Sequence, residues 1–97
     1  MIVHIVIFKL IQPSTSVITN LKEELLTLRK LSHFLEFSVS EKFQMLKTSL
    51  EGDVILFSTF KNEKQLELYM TDPKHLEVIK NTSEIIKEKY VFDFITN

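Results

Sequence analysis

The stretch Ile2-Val3-His4-Ile5-Val6-Ile7-Phe8-Lys9-Leu10-Ile11 decides the fold. It is rich in β-branched residues and ends at Gln12-Pro13-Ser14, so it reads as a strand. Successive side chains of a strand leave on opposite faces. Ile2, His4, Val6, Phe8 and Leu10 therefore share one face, and Val3, Ile5, Ile7, Lys9 and Ile11 the other. Both faces are apolar, so this strand needs cover on two sides. The run has no basic flank before it and no small-residue cleavage site after it, and it falls far short of the ~20 residues that span a bilayer. It is expected to be a buried strand of a cytoplasmic protein that does not engage a membrane.

Working outward, Ser14 to Ser16 offer N-caps to a helix with the apolar stripe Val17, Ile18, Leu21, Leu25, Leu28 and Leu31. A second strand places Leu35, Phe37, Val39 and Phe43 inward and Glu36, Ser38, Ser40 and Lys42 outward. Residues 44–51 are expected to form a loop, turning at Glu51-Gly52-Asp53. A third strand over 53–60 carries Val54, Leu56 and Phe60 on one face and Ile55 and Phe57 on the other. Asn62, with Gln65 three residues on, opens a short helix through Leu66 and Tyr69. Asp72-Pro73 ends that helix and starts another, with Asp72 as N-cap and Pro73 at the first helical position. The third helix offers Leu76, Ile79, Ile86 and either Val78 or Ile85 to the core, and the last strand spans 90–95. This order is the α+β, ferredoxin-like βαββαβ pattern: a four-stranded antiparallel sheet with helices on one face, as one domain over residues 1–97.

The chain has 97 residues, of which 44% are hydrophobic and 26% charged, a globular composition. Strands one, three and four are apolar on both faces, yet the helices cover one. The uncovered face exceeds the few hundred Å2 of contiguous apolar surface that a soluble monomer exposes, so a homodimer packed sheet against sheet is expected. Several function classes fall away. Without Cys there is no disulfide, thiolate metal site or Cys nucleophile, and the single glycine, Gly52, excludes Gly-rich phosphate loops. A net charge of -1, with Arg29 the one arginine, gives no bulk attraction to nucleic acid. An RNA-recognition module shares the element order, but strand 53–60 lacks the Gly and Arg of that module's motif.

Candidate chemistry gathers at Tyr69-Met70-Thr71-Asp72-Pro73-Lys74-His75, with His4. His75 falls in the first turn of the third helix, where the positive end of the helix dipole disfavours an imidazolium and leaves a neutral ring able to act as a general base. Asp72 opposes this if its carboxylate is near. The Tyr69 hydroxyl can donate to a carbonyl or enolate oxygen of a ligand. The competing reading makes His75 a solvated first-turn residue and Tyr69 a half-buried one. His4 points into a core or a cavity, with a core histidine bonded to a backbone carbonyl as the plain alternative. His33, in a helix–strand connection, is expected to face solvent. Three dispersed His without Cys predict no metal site. Asp93 interrupts an apolar strand, either to pair with a cavity or interface group or to mark where the strand meets solvent.

Val3-His4-Ile5-Val6-Ile7-Phe8-Lys9, Tyr69…Asp72-Pro73-Lys74-His75 and Phe92-Asp93-Phe94 together resemble the stress-responsive dimeric α/β-barrel (Dabb) family, over nearly the whole chain. The resemblance implies two ferredoxin-like sheets closing a dimeric α/β-barrel. Plant members include a polyketide cyclase that closes a ring by aldol condensation without a cofactor, using a Tyr and a His six positions apart and a pocket-lining His on the first strand. These positions match Tyr69 and His75 as catalytic residues and His4 as a ligand-binding one. The cyclase-like His-Pro-x-His is Asp72-Pro73-Lys74-His75 here, and a further pocket His on the third strand falls at Val54. The resemblance thus implies a small apolar ligand between sheet and helices, with cofactor-free His/Tyr acid–base chemistry. The alternatives are a non-catalytic stress or regulatory dimerisation module, or a cofactor-free monooxygenase of the antibiotic-biosynthesis type. The dimer is tested by light scattering at micromolar concentration: a mass near twice the 11.4 kDa chain is expected, and a monomer mass refutes it.

Overall fold

A computed structural model describes residues 1–43 and 47–97; the expected loop over 44–51 therefore lies partly outside the described residues. The elements are β1 (Ile2–Leu10), α1 (Thr15–Leu26), a 3-10 turn (Thr27–Lys30), β2 (Glu36–Glu41), β3 (Val54–Phe60), α2 (Glu63–Met70), α3 (Pro73–Thr82) and β4 (Ile86–Ile95). The sheet order is β2-β3-β1-β4, with every neighbouring pair antiparallel. This is the expected ferredoxin-like βαββαβ sheet, with β1 in its interior.

Local chemistry sets the helix starts. The Ser14 hydroxyl accepts from the Val17 N–H at 3.3 Å, Asn62 Oδ1 from the Gln65 N–H at 3.0 Å and Asp72 Oδ1 from the Lys74 N–H at 2.8 Å. The stripe of α1 runs on into the 3-10 turn, so Leu21, Leu25 and Leu28 are buried although the last of them is no longer in an α-helix. They pack against Val6, Phe8, Leu56 and Phe60, the helix-facing residues of β1 and β3.

Two expected boundaries are corrected. The last strand begins at Ile86, not at residue 90, because α3 ends at Thr82 and Ile86 joins the sheet opposite Leu10. Lys87, Glu88 and Lys89 read as a polar connection but belong to a solvent-exposed edge strand, where charges are tolerated and discourage further pairing. The buried side of α3 is His75, Val78 and Thr82, while Leu76 and Ile79 are exposed. In β2, Phe37 and Val39 pack on the core as expected, but Leu35 and Phe43 lie beyond the strand ends and are exposed.

The face away from the helices stays apolar. Ile5 sits between Phe57 and Phe92, and Ile7 between Ile55 and Tyr90, with Phe92 68% exposed. Gly52 lies against this face: a Cβ there would run into the Ile7 side chain, so glycine is required by close approach, its φ not being positive. Asp53 then ties the turn to β1, its N–H donating to the Phe8 carbonyl at 2.8 Å and its carboxylate accepting from the Leu10 N–H at 2.8 Å.

His33 departs from its expected place in solvent. Its Nε2–H donates to Asp72 Oδ2 at 2.9 Å, with both side chains about one-fifth exposed, so the N-cap of α3 also fastens the 31–35 connection. That bond, and then the Lys74 N–H, hold the Asp72 carboxyl below its ordinary pKa of 3.8. A depressed carboxylate adds stability above the ordinary value and loses it as the pH falls through the folded-state value. Asp72→Ala is therefore expected to lower the unfolding midpoint at neutral pH and to flatten the acid side of the stability curve. An unchanged acid limb refutes the coupling. Leu21→Ala, at a fully buried position, is expected to cost about 2–5 kcal/mol in denaturant unfolding, and a loss below 1 kcal/mol refutes its place in the core.

Candidate functional site

Helix α2 ends where Thr71 N–H and its hydroxyl both bond the Glu67 carbonyl, at 3.1 and 2.9 Å, and Asp72-Pro73 restarts the chain as α3. Tyr69 thus lies in the last turn of one helix and His75 in the first turn of the next, their rings 4.5 Å apart and tilted by 47°. His4 comes up from β1 with its ring 6.3 Å from Tyr69, edge to face at 70°. The three sequence-predicted residues therefore share one location, and all are buried: Tyr69 1%, His4 2% and His75 8% exposed. They line a narrow, half-open cleft, with an enclosed volume of about 60 Å3, between α3 and the β1–β4 half of the sheet. Its walls are mainly Val6, Phe8, Leu25, Leu28, Leu56 and Val78. The third-strand residue in this lining is Leu56; Val54 is buried elsewhere, beside the β2–β3 loop.

The ring nitrogens have definite roles. His75 Nδ1 lies 3.1 Å from the Met70 carbonyl, which can only accept, so Nδ1 carries the proton and Nε2 of the neutral ring is a free acceptor. His4 Nδ1 bonds the Asp93 carboxylate, directly opposite it in the β1–β4 register, rather than a backbone carbonyl. A carboxylate also requires a donor, which leaves His4 Nε2 as the second uncommitted ring nitrogen. Asp93 thus does both things its sequence context allowed: it pairs with a cavity group, and its side chain is 45% exposed.

Burial lowers the His75 pKa below 6.5, opposed by the Met70 hydrogen bond; the charges of His4 and Lys89 lower it further, and Asp72 raises it slightly. The ring is neutral at neutral pH. Burial pushes the Tyr69 hydroxyl far above its usual value of 10.0, so it stays protonated. Among the described residues that hydroxyl has no hydrogen-bond partner, and no buried side-chain polar atom is left unpaired. An unpartnered hydroxyl that is not sealed from the cleft is available to a ligand. Among the described residues no three His, Asp or Glu come together as metal ligands.

Sequence reasoning missed Thr82 and Lys89 as lining residues. Lys89 shares the alternation of Val91 and Asp93, so the true start of β4 is the signal that places it. No helix among the described residues is long and apolar enough to cross a membrane.

Comparison with known proteins adds a family. No curated protein matches the chain. Among solved structures, a dimeric ferredoxin-like protein of unknown function from Bacteroides fragilis is 24% identical, with a TM-score of 0.79, covering 98% of this chain and 95% of that one. A hydroxynitrile lyase from Passiflora edulis is 19% identical, with a TM-score of 0.81 and coverages of 99% and 93%. A Dabb family protein with a ferredoxin-like fold from Mesorhizobium loti is 15% identical, with a TM-score of 0.79 and coverages of 99% and 96%. At these identities the likeness shows the fold alone. The model of the stress responsive A/B barrel domain matches residues 2–96, nearly the whole length, so the chain belongs to the Dabb family.

Proposed function

We propose that the protein is a homodimer that binds a small, largely apolar carbonyl compound in the cleft and moves a proton on it without a cofactor. The observation carrying this reading is the meeting of His4, Tyr69 and His75 on one apolar cleft, with two imidazole nitrogens and one hydroxyl uncommitted. His75 Nε2 takes a proton from the carbon next to the carbonyl. The C–H electron pair becomes the new carbon–carbon double bond, the carbonyl π pair moves onto oxygen, and the Tyr69 O–H donates to the enolate oxygen that forms. A neutral His75 and a protonated Tyr69 are the states these roles need. His4, oriented by Asp93, holds the ligand at the opposite wall. Desolvation keeps the chemistry in a medium where such hydrogen bonds are stronger than in water.

The dimer is supported by the apolar open face of the sheet, where Phe57, Tyr90, Phe92 and Phe94 surround Ile5 and Ile7, and by the dimeric state of several proteins with this fold. A second copy on this face relieves its exposure to water. The cleft lies on the other face, between sheet and helices.

The test uses methyl hexyl ketone in D2O, with exchange of the protons next to the carbonyl followed by NMR. The wild-type protein is expected to exceed the buffer rate. His75→Ala is expected to lose about 100-fold or more of that excess, the usual scale of a general base. The rate should fall as the pH drops through the His75 pKa, with its inflection below 6.5. Exchange at the buffer rate by the wild type refutes the catalytic role and favours a binding module.

A further inference from the structure

The cleft has an unusual charge balance. Its lining includes no carboxylate, and its one fixed formal charge is the ammonium of Lys89. Lys89 projects from β4 on the same face as Val91 and Asp93, in register with Phe8. Among the described residues it forms no ion pair, unlike Lys22 with Glu41 or Lys74 with Glu77. His4 and Phe8 are four residues apart on β1, roughly 13 Å of strand. Lys89 is therefore rooted well away from His4, with Val6 and Val91 as the apolar stretch between them. Its charge nevertheless reaches the site, since it helps to keep His75 deprotonated. Exposed apolar groups, Met70, Ile79 and Val91, also line the cleft.

We propose that Lys89 is a specificity-determining residue, whose ammonium selects apolar ligands that end in a carboxylate several carbons away from the group facing His75 and Tyr69. The proposal rests on the reading of the cleft as a small-molecule site and adds the ligand's class: a medium-chain acid, with its carbonyl or apolar end at the His4–Tyr69–His75 wall and its anion at Lys89. An unpaired cation at the solvent-facing edge of an otherwise neutral apolar cleft favours an anion there.

The experiment is calorimetric titration of the full chain with octanoate and with octanol, which share an eight-carbon chain and differ in charge. Wild type is expected to bind octanoate more tightly than octanol. Lys89→Gln is expected to weaken octanoate by roughly five- to tenfold while leaving octanol within about twofold. Lys89→Arg should keep the octanoate preference, because it keeps the charge. Equal weakening of both probes by Lys89→Gln, no weakening of octanoate, or loss of the preference in Lys89→Arg overturns the anchoring role alone. Failure of the wild type to bind either probe overturns it together with the cleft reading.

Discussion

One helix cannot run through Asp72-Pro73: the proline has no N–H to donate, and its ring bars the residue before it from the helical region. The geometry of the cleft depends on that break. It halts α2 just after Tyr69 and starts α3 just before His75, so two residues six apart in sequence face each other at 4.5 Å. Asp72 then works on both sides of the break. One carboxylate oxygen caps α3 through the Lys74 N–H, and the other binds His33 from the connection before β2. The carbonyl of Met70, the last residue of α2, is left free to accept from His75 Nδ1. The backbone that ends one helix therefore fixes the proton on the first side chain the next helix offers to the cleft.

The sheet supplies the opposite wall. Because β1 lies inside the sheet, His4 has neighbours on both strands beside it, Ser58 on β3 and Asp93 on β4. The Ser58 hydroxyl bonds the His4 carbonyl, and the Asp93 carboxylate bonds the ring. The Asp93 side chain reaches water because β4 is an edge strand, whereas His4 is buried. A carboxylate solvated on one side and bonded to an imidazole on the other carries less of the desolvation penalty that a fully buried pair meets. The apolar strands impose a second demand. They fill the helix side with core and leave Ile5, Ile7, Phe57 and Phe92 on the open side, where a second copy is the economical cover.

Much of this is legible in the residues, for identifiable reasons. The α1 stripe obeys the helical period, the caps at Ser14, Asn62 and Asp72 are local signals, and the two-faced apolarity of β1 is a property of one strand. Legibility fails where polar residues occupy buried positions or a boundary rests on distant pairing. His75 and Thr82 take the inner side of α3 while Leu76 and Ile79 face out, so apolar counting chooses the wrong face. Lys87 to Lys89 resemble a connection until the register with β1 makes them a strand. The His4–Asp93 pair spans 89 residues of sequence, and His33–Asp72 spans 39; neither is encoded locally. Lys89 enters the cleft lining through the same register.

On the proposed reading two imidazoles are held with Nδ1 protonated, one by the Met70 carbonyl and one by Asp93, which leaves Nε2 of each ring for a ligand. Long-range proton–nitrogen NMR of the histidine rings at neutral pH measures this directly. The predicted result is a neutral His75 ring with its proton on Nδ1 and a His4 ring whose Nδ1 proton disappears from its low-field position in Asp93→Asn. A His75 ring protonated on Nε2, or a His4 signal indifferent to that substitution, contradicts the account.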